Sequence, residues 1–226
     1  MPERRSRPSL RRRAAAEAIA AFALIFCVGG AAAEEASRHG HLGLPAQAAV
    51  SGLAIMAMVY AIGHLSGAHI NPAVTLAFCL TRHFPRAEAA FYVAAQLAGA
   101  ALAGLLLLAV WPDKPGQLGA NAIGIGAGSA LVVETVLSAL LMFVIMAVAT
   151  DARAVGAAAA IAIGGVVLLD ILVGGGVSGA SMNPARSFGP ALASGAWEHF
   201  WIWVIGPIVG TSLGALGYQL VRGEQA

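Results

Sequence analysis

Two nine-residue stretches of this chain are near copies of each other: Ser66-Gly67-Ala68-His69-Ile70-Asn71-Pro72-Ala73-Val74 and Ser178-Gly179-Ala180-Ser181-Met182-Asn183-Pro184-Ala185-Arg186. They share SGAxxNPA and lie 112 positions apart in a chain of 226 residues. Asn is a favoured helix N-cap, and proline fits the first helical turn, where its missing N–H costs nothing. Asn71-Pro72-Ala73 and Asn183-Pro184-Ala185 therefore read as two helix starts. A capping Asn accepts a backbone N–H with its side-chain oxygen, which leaves its amide NH₂ to donate to a passing molecule. Each helix start also carries about +0.5 charge. Two of them about 5 Å from a cation, at an effective dielectric near 20, repel it by roughly 3 kcal/mol. Removing a cation's water in an apolar channel costs several kcal/mol more. The chemistry on offer is hydrogen-bond donation to uncharged molecules, with cations turned away chiefly by dehydration. A purely structural role for both asparagines, as caps, is compatible with it.

Other residues carry charge into apolar surroundings. Arg186 replaces Val74 in the second copy and brings five N–H donors, well placed on a water path and costly against lipid. Glu17 and Glu134 occupy matching places ahead of the two boxes. Each could relay protons, or each could accept backbone N–H groups of a loop, and two loops with one carboxylate per half favour the anchoring role. His64 reads as a loop anchor or a pore-edge donor. Asp170 stands in an apolar segment with no mate in the other half, open to hydrogen bonding with a neighbour or to proton coupling.

The elements that position these groups must lie in a membrane. The chain is 59% hydrophobic and 11% charged, with mean hydropathy +0.80, more apolar surface than a soluble domain of this length can hide. A helix needs about 20 apolar residues to cross the hydrocarbon core. Six such spans are predicted, at about 14–33, 46–64, 88–111, 128–149, 154–175 and 197–221. The runs after Asn71 and Asn183 stop after about ten residues, roughly 15 Å, half of the ~30 Å core. They are half-helices. The loops before them are rich in small residues, and irregular backbone at that depth must be protein-buried or line a wet cavity. Three spans per half make the second half enter from the opposite face, an inverted repeat with its site near the midplane. The expected organisation is a basic tail at 1–13, one domain at 14–222 with halves of about 14–112 and 128–222, and a short tail at 223–226.

Charge sets the orientation. Six arginines crowd residues 4–13, and with Arg82, Arg86, Arg153 and Arg222 they put ten basic residues on the side of both termini, against three on the other, Arg38, Lys114 and Arg186. The positive-inside rule makes that side cytoplasmic, and contact with anionic lipid headgroups follows from the same charge. A cleaved signal peptide fits less well because Glu17 interrupts the apolar run. Cys27 and Cys79 fall in membrane segments as packing residues, with no metal-ligand spacing. GxxxG-type faces at Gly206, Gly210 and Gly214, at Gly99 with Ala103, and at Gly164 and Gly165 suit close helix packing. No catalytic motif, metal cluster or cofactor site is visible, and no nucleic-acid partner is expected.

From Glu17 to about Arg222 the sequence resembles the aquaporin, or major intrinsic protein, family. HLSGAHINPAV and SGASMNPARSFGPAL carry the likeness, with Ala149-Thr150-Asp151 and Gly206-Pro207. The resemblance implies an all-α membrane fold of six transmembrane helices plus two re-entrant half-helices, assembled as a homotetramer with one pore per subunit in the plasma membrane. It implies a pore midplane at the two Asn-Pro-Ala boxes and a selectivity filter at Ser51, Ile171, Ala180 and Arg186. Strict water channels of the family carry a bulky aromatic and a histidine at the first two filter places, so Ser51 and Ile171 imply a wider, more apolar opening. Glycerol facilitators place Asp after the arginine, where this chain has Ser187. The motifs look most similar to nodulin-26-like channels and bacterial relatives. That implies water and small neutral solutes such as glycerol, urea, boric acid or arsenous acid, with no cofactor and no enzymatic activity. A water-selective channel and, less favoured, a proton-coupled secondary transporter are the alternatives.

Overall fold

The computed structural model describes residues 7–38, 43–151, 153–154 and 158–223, all-helical in its regular elements. The helices are α1 (Leu10–Ser37), α2 (Gly43–Ser66), α3 (Pro72–Leu80), α4 (Arg86–Val110), α5 (Ala127–Thr150), α6 (Ala159–Gly174), α7 (Pro184–Ser194) and α8 (Ile202–Arg222). Five of them, α1, α2, α4, α5 and α8, are long and apolar enough to cross a membrane. The expected span at 154–175 is a helix of only 16 residues, α6; residues 155–157 of that expectation lie outside the described residues. Its share of Gly and β-branched residues, poor helix formers in isolation, leaves tertiary packing to hold it.

The two short helices start where Asn-Pro placed them. α3 has nine residues and α7 eleven, and each has its Asn as N-cap and its proline at the first position. α7 ends on Gly195 at φ 86, the left-handed C-cap glycine favours.

The halves repeat in packing as in sequence. α1 packs on α4 and α2 as α5 packs on α8 and α6, while α3 lies on α8 and α7 on α4, so each half-helix is held by the other half. Small residues allow these approaches. A Cβ at Gly99 would overlap the Ala18 carbonyl, and one at Gly210 would overlap that of Thr135. Gly104 and Gly189, where α4 crosses α7, are equally tight, as are Gly52 and Gly164 between α2 and α6. Gly165 faces open space and contributes no such contact.

The basic N-terminal segment is shorter than its sequence suggests. Arg4 and Arg5 lie outside the described residues, but helix α1 begins at Leu10, and Arg13 is buried. Its guanidinium forks onto Glu88 of α4, Nη1 to Oε2 at 2.7 Å and Nη2 to Oε1 at 2.8 Å. A partner 75 residues away was invisible in a run of arginines. Cys79 is buried, whereas Cys27 is exposed on α1.

Candidate functional site: a lumen between two re-entrant loops

The loops before α3 and α7 are built alike. Gly67, Ala68 and Ile70 have φ of 92°, 48° and 55°, and Gly179, Ala180 and Met182 have 85°, 42° and 54°. Left-handed backbone at a β-branched residue such as Ile70 is rare, and such residues cost about 1–3 kcal/mol each, persisting only where surroundings over-determine them. Here the surroundings are carboxylates. Glu17 accepts from Ser66 Oγ (2.7 Å), His69 N (2.9 Å), Ile70 N (2.6 Å) and Gln96 Nε2 (2.8 Å). Glu134 accepts from Ser178 Oγ (2.8 Å), Ser181 N (2.9 Å) and Met182 N (2.9 Å). Both carboxylates are fully buried, and charge-assisted bonds of this kind are about twice as strong as neutral ones.

A second pair of anchors was not read from the sequence. Tyr92 Oη donates to Ser66 O at 2.8 Å, and Trp203 Nε1 donates to Ser178 O at 2.7 Å. Tyr and Trp differ in type, so sequence comparison of the halves does not pair them; only their common offset of 111 positions, shared with Gly99 and Gly210, does. His64 makes no hydrogen bond to a described residue and is exposed. Helix α2 runs on to Ser66, which leaves His64 on the helix surface and gives the anchoring expected of it to Ser66. His69 is buried instead, its Nδ1 3.0 Å from Thr75 Oγ1, among the rings of Phe78, Phe84 and Tyr92. Ser181 and Ser187 repeat the His69–Thr75 contact, Oγ to Oγ at 2.6 Å.

Asn71 Oδ1 accepts from Ala73 N at 2.9 Å, and Asn183 Oδ1 accepts from Ala185 N at 3.0 Å and Arg186 N at 3.3 Å. Their amides are only half free. Asn71 Nδ2 donates to Met182 O (2.8 Å), and Asn183 Nδ2 donates to Ile70 O (3.0 Å). This reciprocal exchange ties the boxes across the pseudo-two-fold axis. It uses one N–H of each amide, leaving the other for the lumen.

A cavity of about 60 Å³ runs past both boxes, room for a column of about four or five waters at ~12–15 Å³ each. Its walls follow helical spacing, and nearly every residue has its mate. Leu24 and Val28 of α1 match Leu141 and Ile145 of α5; Ser51, Ile55 and Val59 of α2 match Ile163, Val167 and Ile171 of α6. The apolar walls offer a solute few hydrogen bonds, so the polar groups of the loops stand out as a line. Ser51, Ile171 and Arg186 also border a wider vestibule of about 600 Å³, with Glu35, Gln47 and Asn121. These three residues stand at the junction of narrow and wide, and Ala180 lines the narrow part. Ser51 Oγ donates to Gln47 O at 2.9 Å, which spends its proton and leaves its oxygen as an acceptor only.

Arg186 is oriented from outside its helix. Nη1 donates to Gly119 O at 2.7 Å and to Asn121 Oδ1 at 2.6 Å. Both protons of Nη1 are thereby used, leaving those of Nη2 and Nε. A left-handed turn presents these acceptors: Gly116, Gln117 and Leu118 have φ of 57°, 48° and 54°. Asn121 also accepts from Ser187 Oγ (2.8 Å) and donates through Nδ2 to Gly179 O (2.8 Å). It joins Arg186, α7 and the loop before α7. Lying in the connection between the halves, it has no repeat mate and so carries no signal of its role in the sequence. Among the described residues, no group of three or more His, Cys, Asp or Glu is placed to hold a metal ion.

Comparison with known proteins agrees with this architecture. The family described as major intrinsic protein matches residues 4–218. The chain is 46% identical over 211 residues to aquaporin NIP1-1 of Zea mays, covering 92% of this chain and 73% of that protein. It is 42% identical over 207 residues to putative aquaporin NIP4-1 of Arabidopsis thaliana, with 92% and 73% covered. Its fold matches the X-ray structure of the aquaglyceroporin from Plasmodium falciparum with TM-score 0.85 at 24% identity, covering 93% of this chain and 96% of that one.

Proposed function

We propose, from the premise that the chain belongs to the major intrinsic protein family and is therefore a multi-pass membrane channel for water and small solutes rather than an enzyme, that its solutes include glycerol, urea, boric acid and arsenous acid. The carrying observation is the make-up of the narrow entrance. Ser51, Ile171 and Arg186 all line both the vestibule and the 60 Å³ lumen. A two-atom side chain at Ser51 leaves open space that an aromatic ring would fill, and Ile171 supplies an apolar wall for a solute's carbon or ring face. The free Arg186 donors and the carbonyls of the left-handed loops then meet its hydroxyls or amides. Cations gain too little there to offset dehydration.

The orientation that fits the charge distribution puts both termini in the cytoplasm of a plasma-membrane protein, with the filter facing outward. The exposed apolar helix faces suit lipid and neighbouring copies in a homotetramer. Stopped-flow light scattering on proteoliposomes tests the substrate reading. Glycerol, urea or boric acid should enter faster than into empty liposomes, without saturation and with or without a proton gradient. Water entry with solute entry at background would point to the water-selective alternative, and a saturable flux that needs the gradient would point to coupled transport.

A further inference from the structure

The lumen has a second mouth. A vestibule of about 340 Å³ shares Gly67, His69, Phe78 and Ala149 with it, as the wide vestibule shares Val28, Ser51, Ile171 and Arg186. Pseudo-symmetry says what this mouth should contain. The mates of Ser51, Ile171, Ala180 and Arg186 are Ile163, Val59, Ala68 and Val74, and all four line the lumen. None of their side chains offers a donor or acceptor, so nothing among them matches Arg186. Nor does any of the four border the second vestibule. The α3 residue that does is one turn beyond Val74, on the same helix face: Phe78.

Phe78 has no equivalent at the first mouth. Its mate is Pro190, which borders neither the lumen nor the wide vestibule. Elsewhere the mouths are alike: Ala149 borders the second vestibule, and its mate Ala32 borders the first. Phe78 carries the one phenyl ring among the described residues of the lumen wall, and the ring is held in place. Its centroid lies 4.8 Å from that of His69. His69 is itself packed on Phe84 and Tyr92, with Nδ1 3.0 Å from Thr75 Oγ1. Behind the ring, His83 N and Phe84 N donate to Phe78 O at 2.8 and 3.2 Å and fix the end of α3. Two constrictions in series are limited by the tighter one. The small side chain of Ser51 leaves room at the first mouth, so the limit on size falls at the second. We infer that Phe78 is a specificity-determining residue whose ring sets the largest uncharged solute that passes. It acts by bulk alone, while the hydrogen bonds that orient a solute come from the Arg186 end. The inference rests on the wide first mouth proposed above.

The test measures entry of water, glycerol and the longer straight-chain polyols erythritol and xylitol into proteoliposomes holding the full chain. Wild type should admit glycerol faster than erythritol, and erythritol faster than xylitol. Phe78→Ala should raise the ratio of erythritol to glycerol entry by about fivefold or more, the relief of overpacking at a tight site. Phe78→Leu, which keeps an apolar side chain without the ring, should give a smaller rise in the same ratio. It decides the matter should the alanine variant fail to fold. A merely structural role for Phe78 would lower every flux in proportion and leave the ratios where they were. Unchanged ratios, or a wild type that admits erythritol as fast as glycerol, would overturn the inference; the wide first mouth would stand so long as wild type passes glycerol. A wild type that passes water alone would refute the wide first mouth instead. The inference then survives if a Phe78 variant admits glycerol and falls if none does.

Discussion

Glu17→Gln separates anchoring from proton relay, because the substitution keeps shape and removes charge. In the structure each Glu17 oxygen takes two donors: Oε1 from Ser66 Oγ and His69 N, Oε2 from Ile70 N and Gln96 Nε2. A glutamine must point its NH₂ at one of these pairs. The less costly choice is the first, since the Ser66 hydroxyl can rotate and accept, but His69 N–H then has no acceptor. Leaving a buried N–H unpaired costs about 1–3 kcal/mol, and the two bonds that remain fall from charge-assisted to neutral, about 1 kcal/mol each. The sum, about 3–5 kcal/mol, is a large fraction of the 5–15 kcal/mol that holds a typical protein folded. At about 2–4 °C per kcal/mol for a chain of this size, the midpoint of thermal unfolding in detergent should drop by about 6–20 °C. Tryptophan fluorescence reports it, since Trp203 is bonded to Ser178 O of the other loop. Water and solute flux should fall together, because the loop before Asn71 loses its anchor at His69 N and keeps only a neutral one at Ile70 N. Unchanged stability combined with a loss confined to gradient-driven flux would refute anchoring in favour of a relay.

Three further outcomes follow from the same geometry. Asn121→Ala removes one of two acceptors from Arg186 Nη1, worth about 1.5–3 kcal/mol for a charged group. Gly119 O remains, so solute flux should fall modestly while the unfolding midpoint drops; a midpoint equal to wild type would show that Asn121 does not hold Arg186. Gly104→Val puts a branched side chain onto the Gly189 carbonyl where α4 crosses α7; overpacking of about 1–3 kcal/mol or more should lower yield and stability in detergent, and an unaffected variant would contradict the close crossing. At the C-terminal end of α5, Arg153 grips Asp151 through Nε and Nη2, at 2.9 and 2.6 Å, and Tyr218 Oη donates to it at 2.8 Å. The Arg153 guanidinium holds the Asp151 carboxyl well below the usual carboxylate range. Its contribution is therefore present above the unfolded-state value near 4 and is lost only as the pH falls further. Asp151→Asn should flatten that acid limb of the stability profile, and an unchanged limb would remove this contact from the account.

Much of this arrangement was legible because duplication writes the same instruction twice. Asn-Pro marks a helix start chemically, so the half-helices at Pro72 and Pro184 could be placed to the residue. The equivalence of Glu17 and Glu134 pointed to the loops they hold. Features lacking a mate or changing type between halves stayed hidden. Asn121 sits in the connecting segment, Tyr92 and Trp203 share a role but not a chemistry, and the left-handed backbone of Ile70 and Met182 has no residue signature. Arg13 looked like one more tail charge because its partner Glu88 is distant in sequence. His64 erred the other way: adjacency to the box suggested a contact, but α2 continues past it to Ser66 and leaves it on the helix surface.

The ratio of solute to water permeability, measured on the same proteoliposomes for wild type and for Ser51→Phe combined with Ile171→His, tests whether these two positions set what passes. Wild type should admit glycerol or urea well above empty liposomes, and the double variant should lose most of that entry while keeping most of its water flux. Wild-type vesicles that pass water alone, or a double variant that loses water and solute in equal proportion, would contradict the wide filter assigned to Ser51, Ile171, Ala180 and Arg186.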